Sequence, residues 1–175
     1  MHATSRLVAA ALIRRGGQVL LVRQQGPEDP AARWTLPAGV VEDGELVFDA
    51  VVREVREETG LEVTGAGRLV TVAQYQLPPG RWGGVWTAFT FEVDVRGEIA
   101  CADPDGQVTD AAWTPVPEAV TRLSEVEFPP MREPGIGRLL RPDSVPLLWT
   151  WPDGVLSKPI TIPVGAADGA PAEIT

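Results

Sequence analysis

Short apolar runs alternate with polar, Gly- and Pro-containing breaks along most of the chain, and this pattern sets out the elements. "RLVAAALI" (Arg6–Ile13) and "QVLLVRQ" (Gln18–Gln24) read as two strands joined by a tight turn at "RRGG". "QGPEDPAAR" is a polar loop, and "WTLPAG" is an extended segment ending in a small-residue turn. Leu46 to Thr59 contains no Gly or Pro, and Gly60 stands where a helix C-cap belongs, so a helix of three to four turns is predicted. "LEVTGAGRLVTVAQYQL" and "VWTAFTFEVDV" are rich in β-branched and aromatic residues and read as strands around the loop "PPGRWGG". "AAWTPV" predicts a short strand, "PEAVTRL" a second helix with Pro at its start, and "IGRLL" a further short helix within Pro129–Arg141. Strands with few intervening helices predict a mixed α/β layered domain. Residues 1–142 carry this pattern; 143–175 read as an extension, with "AADGAPAEIT" as a flexible tail.

Charge narrows the function. The net charge of −9 argues against a nucleic-acid binder, which needs a basic surface to replace phosphate counterions. A single cysteine, Cys101, and a single histidine, His2, exclude an internal disulfide, a cysteine-rich zinc site and His-based nucleophile activation. No apolar run reaches the roughly 20 residues that span a bilayer. "LVAAALI" is followed by "RRGG" rather than a small-residue cleavage site, so a buried strand is the better reading than a signal core. A cytoplasmic domain without a membrane partner is expected. The extension, with Trp149 and Trp151, either packs on the domain or contributes to a homodimer; the pattern does not choose.

The densest charge lies in "REVREETG", Arg53 to Gly60. On a helical wheel at about 100° per residue, Phe48, Val51, Val52 and Val55 cluster with Val47 toward the core. Glu54, Glu57 and Glu58 fall at i, i+3 and i+4 on one arc beside it, and Arg56 and Asp49 point to solvent. Like charges at this spacing repel, and carboxylates near a helix C-terminus oppose its dipole. Hard divalent cations require such oxygen-rich, negatively charged scaffolds. Spacing alone leaves two readings standing, a salt-bridged solvated face or a cation site.

The residues around the helix extend the pattern: Gly39, Glu45, Arg53-Glu54-Val55, Glu57-Glu58 and Gly60-Leu61, at fixed intervals. This resembles the signature of the Nudix hydrolases, pyrophosphohydrolases of nucleoside diphosphates linked to another moiety. The layout over roughly residues 6–125 resembles that family too; the last fifty residues do not. The resemblance implies an α/β/α sandwich with a central mixed sheet, and a loop–helix–loop that binds Mg²⁺ or Mn²⁺. Glu54, Glu57 and Glu58, with the Ala38 carbonyl, are then the metal ligands. Arg53 and Glu45 pin the loop to the helix and orient those ligands. The implied reaction is attack of water on a phosphorus of a pyrophosphate.

Two positions depart from the family pattern. Leu46 stands where a Ser, Thr or Asp helix cap is usual, unless Asp43 or Asp49 compensates. Gln107 stands where many members carry an additional glutamate before the "W-x-P" strand, and an amide cannot act as a base. Asp105 is the first candidate in its place, with Asp110 also near, whereas Asp103 beside Pro104 reads as a turn former. For the small-molecule nucleotide substrate, Tyr75, Trp82 and Trp86 are candidate stacking groups and Arg81 a candidate phosphate contact. "PAG" before the signature resembles the ADP-ribose and nucleotide-sugar hydrolases, while Trp34 resembles the nucleotide-sanitising branch. The leading expectation is an ADP-ribose or nucleotide-sugar type substrate, with nucleoside triphosphates or oxidised nucleotides second. A nucleotide-sensing module without catalysis is the rival; such modules typically lose signature carboxylates, and all three remain here.

Overall fold

The computed structural model describes residues 5–26 and 29–165. The strands β1 (Ser5–Leu12), β2 (Arg14–Arg15) and β3 (Gln18–Gln24) come first. β4 (Arg33–Thr35), β5 (Ala38–Val40) and helix α1 (Val47–Thr59) follow. The long strands β6 (Glu62–Leu77) and β7 (Gly84–Arg96) precede β8 (Val108–Pro115). Helices α2 (Val116–Ser124) and α3 (Pro129–Leu140) lead to β9 (Leu147–Thr150) and β10 (Ile160–Pro163).

A six-stranded sheet runs in the order β10-β9-β6-β7-β1-β5. It is mixed, because β1 pairs with β7 and β6 with β9 in parallel while the other pairs are antiparallel. In the second sheet β3 pairs antiparallel with β2, β4 and β8. The tight turn lies at Gly16-Gly17, both with positive φ, but it closes only the short β2–β3 hairpin. The two apolar runs therefore do not form one hairpin. The chain leaves the first sheet after Leu12 and enters the second, since β1 is taken by β5 and β7 and β3 by β8.

Both faces of the sheets are covered, which explains why β3 reads as a continuous apolar run. Leu20 and Val22 point to one face, with Ala9, Ala11 and the α1 residues Ala50, Val51 and Val55. Val19 and Leu21 point to the other, with Leu12, Val70 and the α2 and α3 residues Ala119, Leu123 and Leu139. The result is the α/β/α sandwich with a central mixed sheet. One wheel assignment needs correction: Val52 is 40% exposed. It sits a full 100° beyond the buried Val51 on the helix.

Residues after 142 add β9 to β6 and bury Trp149 and Trp151 beside Ala73 and Tyr75. The segment "AADGAPAEIT" and His2 lie outside the described residues. No helix among the described residues is long and apolar enough to cross a membrane.

Candidate active site

Leu46 precedes helix α1 as its N-cap without a side-chain hydrogen bond, and Asp49 in the first turn is the favourable charge there. At the other end Gly60 adopts φ 74° and its N–H closes on the Arg56 carbonyl. A Cβ at Gly60 would meet the Ala100 carbonyl oxygen at 2.5 Å, so only glycine lets the following strap pass. That strap is fixed by the Ala100 N–H on the Thr59 carbonyl and the Ala102 N–H on the Glu57 carbonyl.

Arg53 is the electrostatic hub. Its Nε and Nη2 donate to the two Glu45 oxygens at 2.9 and 3.0 Å, a bidentate pair, and Nη2 also reaches the Val40 carbonyl at 3.2 Å. Glu45 in turn accepts the Glu42 N–H. The hydrogen bond from Arg53 holds the Glu45 carboxyl below its usual range, and the acidic partners push the guanidinium pKa up. The loop of residues 40–45 is thereby tied to α1.

Arg53 also donates through Nη1 to Glu54 at 2.6 Å and to Glu57 at 3.2 Å. Glu58 is 4% exposed and accepts the Ala38 N–H at 3.0 Å. Burial, then the negative charge of Glu54, pushes the Glu58 carboxyl up to about 9. Burial also raises Glu54, against the pull of Arg53. Arg53 Nη1 thus bridges Glu54 and Glu57, and no three carboxylates among the described residues stand in metal-holding geometry.

Glu54 and Glu58 line a cavity of about 410 Å³, with Ala38, Gly39, Val40 and Arg53. Glu57 is not on its wall. Glu54 lies over Gly39: a Cβ there would fall 1.9 Å from Glu54 Oε1, in the space the carboxylate now fills. Gly39→Ala is therefore expected to displace the Glu54 carboxylate and weaken Mg²⁺ affinity by roughly 10–100-fold. Calorimetric titration of the variant with Mg²⁺ is the check, and unchanged affinity would remove Gly39 from the site.

The turn before β8 supplies the far wall through Asp103, Asp105 and Gln107. Asp103 accepts the N–H groups of Asp105, Gln107 and Val108, the arrangement of a turn former. Asp105 stands exposed on the wall. Trp82 also lines this cavity, whereas Arg81 lines neither this cavity nor the adjoining cleft; its guanidinium lies 5.0 Å from the Trp82 ring centroid.

The adjoining apolar cleft, of about 230 Å³, shares Gln24, Ala38, Gly39 and Val40 with the carboxylate cavity. Tyr75 and Trp86 stack at 6.4 Å on its wall, and burial pushes the Tyr75 hydroxyl up to about 12. Sequence reasoning missed Gln24, which carries no motif, and the α3 residues Pro130, Met131 and Pro134, which close the cleft without any reactive group.

Comparison with known proteins fits this arrangement. The NUDIX domain family model matches residues 4–133. An RNA pyrophosphohydrolase of Azorhizobium caulinodans is 32% identical over 146 residues, covering 72% of this chain and 84% of that protein. A CTP pyrophosphohydrolase of Escherichia coli is 44% identical over 57 residues, covering 33% of this chain and 42% of its own length. A solved NUDIX hydrolase from Nitrosomonas europaea superimposes with a TM-score of 0.63 at 26% identity, over 75% of this chain and 86% of that one. The chain spans only 30% and 42% of the first curated relatives it matches. The sandwich, the signature residues around α1 and the match over residues 4–133 together establish that the chain belongs to the Nudix family.

Proposed function

We propose that the protein is a divalent-metal-dependent pyrophosphohydrolase of a small nucleotide. One observation carries this reading: an acidic cavity and an aromatic cleft share a wall at Gln24, Ala38, Gly39 and Val40. A nucleoside seated against Tyr75 and Trp86 places its phosphoanhydride beside Glu54 and Glu58.

The residues fit a hard cation. The donor set is all oxygen, Glu58 is buried and Glu54 half-buried, both with raised pKa values, and Gly39 leaves the room that Glu54 occupies. Glu54, Glu57, Glu58 and the Ala38 carbonyl would hold Mg²⁺ or Mn²⁺. Such an ion, when bound, neutralises anhydride oxygens and acidifies water. The protein's own groups do the rest. Arg53 and Glu45 fix the carboxylates and the loop, Asp105 is the candidate group to take a proton from water, and the cleft orients the nucleoside.

The leading substrate class is a nucleoside diphosphate derivative of the ADP-ribose or nucleotide-sugar type. Nucleoside triphosphates, including oxidised ones, are the second reading, favoured by a relative named for CTP. Retention of all three glutamates supports an enzyme over a sensing module. A nucleotide panel assayed with Mg²⁺ in H₂¹⁸O tests the reading, because the label marks the attacked phosphorus. Glu57→Gln is expected to lower turnover by on the order of 10²–10³-fold with the fold intact. Normal turnover in that variant would sink the ligand assignment.

A further inference from the structure

The loop between β6 and β7 places an indole where phosphate chemistry has no use for one. Trp82 is 48% exposed and lines the carboxylate cavity, whereas its neighbour Trp86 is buried and lines the nucleoside cleft. The two rings are 6.3 Å apart and tilted by 55°, so they serve different spaces. An apolar ring contributes nothing to an anhydride or a cation ligand set, but it gives a ring-shaped group a face to stack on.

Trp82 is not a loose surface side chain. Arg6 of β1 donates to the Gly83 carbonyl at 2.9 Å and to the Arg81 carbonyl at 3.1 Å, clasping the backbone on both sides of it. The Trp86 indole N–H takes the Trp82 carbonyl at 2.8 Å. The turn is tight at its base, where the Gly83 N–H meets the Gly80 carbonyl and a Cβ on Gly83 would strike the Pro78 oxygen at 2.6 Å. The Arg6 guanidinium lies 5.8 Å from the Trp82 ring centroid and 5.2 Å from that of Trp86. Four hydrogen bonds thus hold the backbone around Trp82, a residue that lines the cavity and is about half exposed. Fixing the platform in advance lowers the ordering cost when a ligand arrives.

We infer that Trp82 is a specificity-determining residue that stacks on a second ring-bearing group attached beyond the scissile anhydride, with Arg6 as the positioning residue that holds it there. This rests on the pyrophosphohydrolase reading. It separates nucleotides with organic groups at both ends of the phosphate chain from triphosphates, whose free terminal phosphate has no ring to offer Trp82.

The test compares one nucleoside presented two ways, as its 5′-triphosphate and as its diphosphate-linked sugar, on the full chain with Mg²⁺. Trp82→Ala is expected to lower the kcat/KM ratio of the sugar conjugate to the triphosphate by roughly tenfold, mostly through KM. Trp82→Phe should restore much of that ratio. Arg6→Gln should shift it in the same direction, and Arg6→Lys, which keeps the charge but loses the two-carbonyl clasp, should not rescue it. A purely structural role would instead depress both substrates together and leave the ratio alone. A ratio within twofold of wild type in Trp82→Ala overturns the inference, as does a wild-type enzyme that hydrolyses only the triphosphate; the pyrophosphohydrolase reading survives both. Hydrolysis of neither substrate nor any other panel nucleotide defeats that reading and the inference with it.

Discussion

Glu58→Gln is expected to lower Mg²⁺-dependent turnover by on the order of 10²–10³-fold and, in the metal-free protein, to flatten the dependence of stability on pH. The second effect follows from burial. Glu58 is raised to about 9 in the fold, first by burial and then by Glu54, and an unfolded glutamate titrates near its model value of 4.5. Between those values the unfolded state ionises while the folded state keeps its proton. The native state then binds more protons, so stability contributed below pH 4.5 is lost as pH rises, by roughly 1 kcal/mol per unit, until about pH 9. Gln cannot ionise and removes this slope. Below about pH 4.5 the wild-type carboxyl is protonated in both states and accepts the Ala38 N–H in the fold, a role the amide oxygen can fill, so the two proteins should melt alike there and diverge as pH rises. At pH 9 the variant should be the more stable. Mg²⁺ competes with the same proton, so wild-type affinity for the ion should strengthen with pH across this window. Melting curves in EDTA from pH 5 to 9 measure the effect, and parallel curves for the two proteins would show that Glu58 is ionised in the fold.

The site's helix was legible because its message is local. Spacings of three and four residues put Glu54, Glu57 and Glu58 on one arc whatever the rest of the chain does, and Gly60 marks the end. What spacing could not give is how the side chains rest: Arg53 engages Glu54 and Glu57 as well as Glu45, because one guanidinium within reach of three carboxylates divides its donors among them. Strand partners were less legible. "RLVAAALI" and "QVLLVRQ" read as a hairpin because a Gly-Gly turn separates them, but pairing was decided by distant β7 and β8, which no local pattern names. The α3 wall of the cleft was hidden for another reason. Pro130, Met131 and Pro134 act by shape alone, and shape at a site is set by tertiary packing rather than by residue chemistry.

That wall leads to the largest expected loss of stability. Glu92 on β7 meets three arginines, Arg14 at 3.2 Å, Arg68 at 2.6 Å and Arg138 at 3.4 Å. The Arg138 side chain is 2% exposed, and its Nη1 donates to the Ser144 carbonyl at 2.6 Å. Its Nε is buried without a hydrogen-bond partner, so the guanidinium has little left to lose. Arg14 reaches the Arg138 carbonyl at 3.1 Å and so ties β2 to the last turn of α3. Glu92→Ala would leave Arg138 buried beside Arg14 with no carboxylate, which is expected to cost about 3–5 kcal/mol and to lower Tm by roughly 10 °C or more. Arg68→Ala offers the contrast. Its side chain is 62% exposed, and removing it should cost under about 1 kcal/mol although its contact with Glu92 is the shortest of the three. Arg138→Met should also cost less than Glu92→Ala, because it removes the buried charge and leaves Glu92 paired with Arg14 and Arg68. Because α3 walls the apolar cleft at its other end, the proposed seating of a nucleoside there predicts that the surviving Glu92→Ala enzyme loses more in KM than in kcat. Urea melts of the three variants order these costs. If Arg68→Ala proves as damaging as Glu92→Ala, the stabilisation lies in the exposed pair, and the buried-charge account of α3 is wrong.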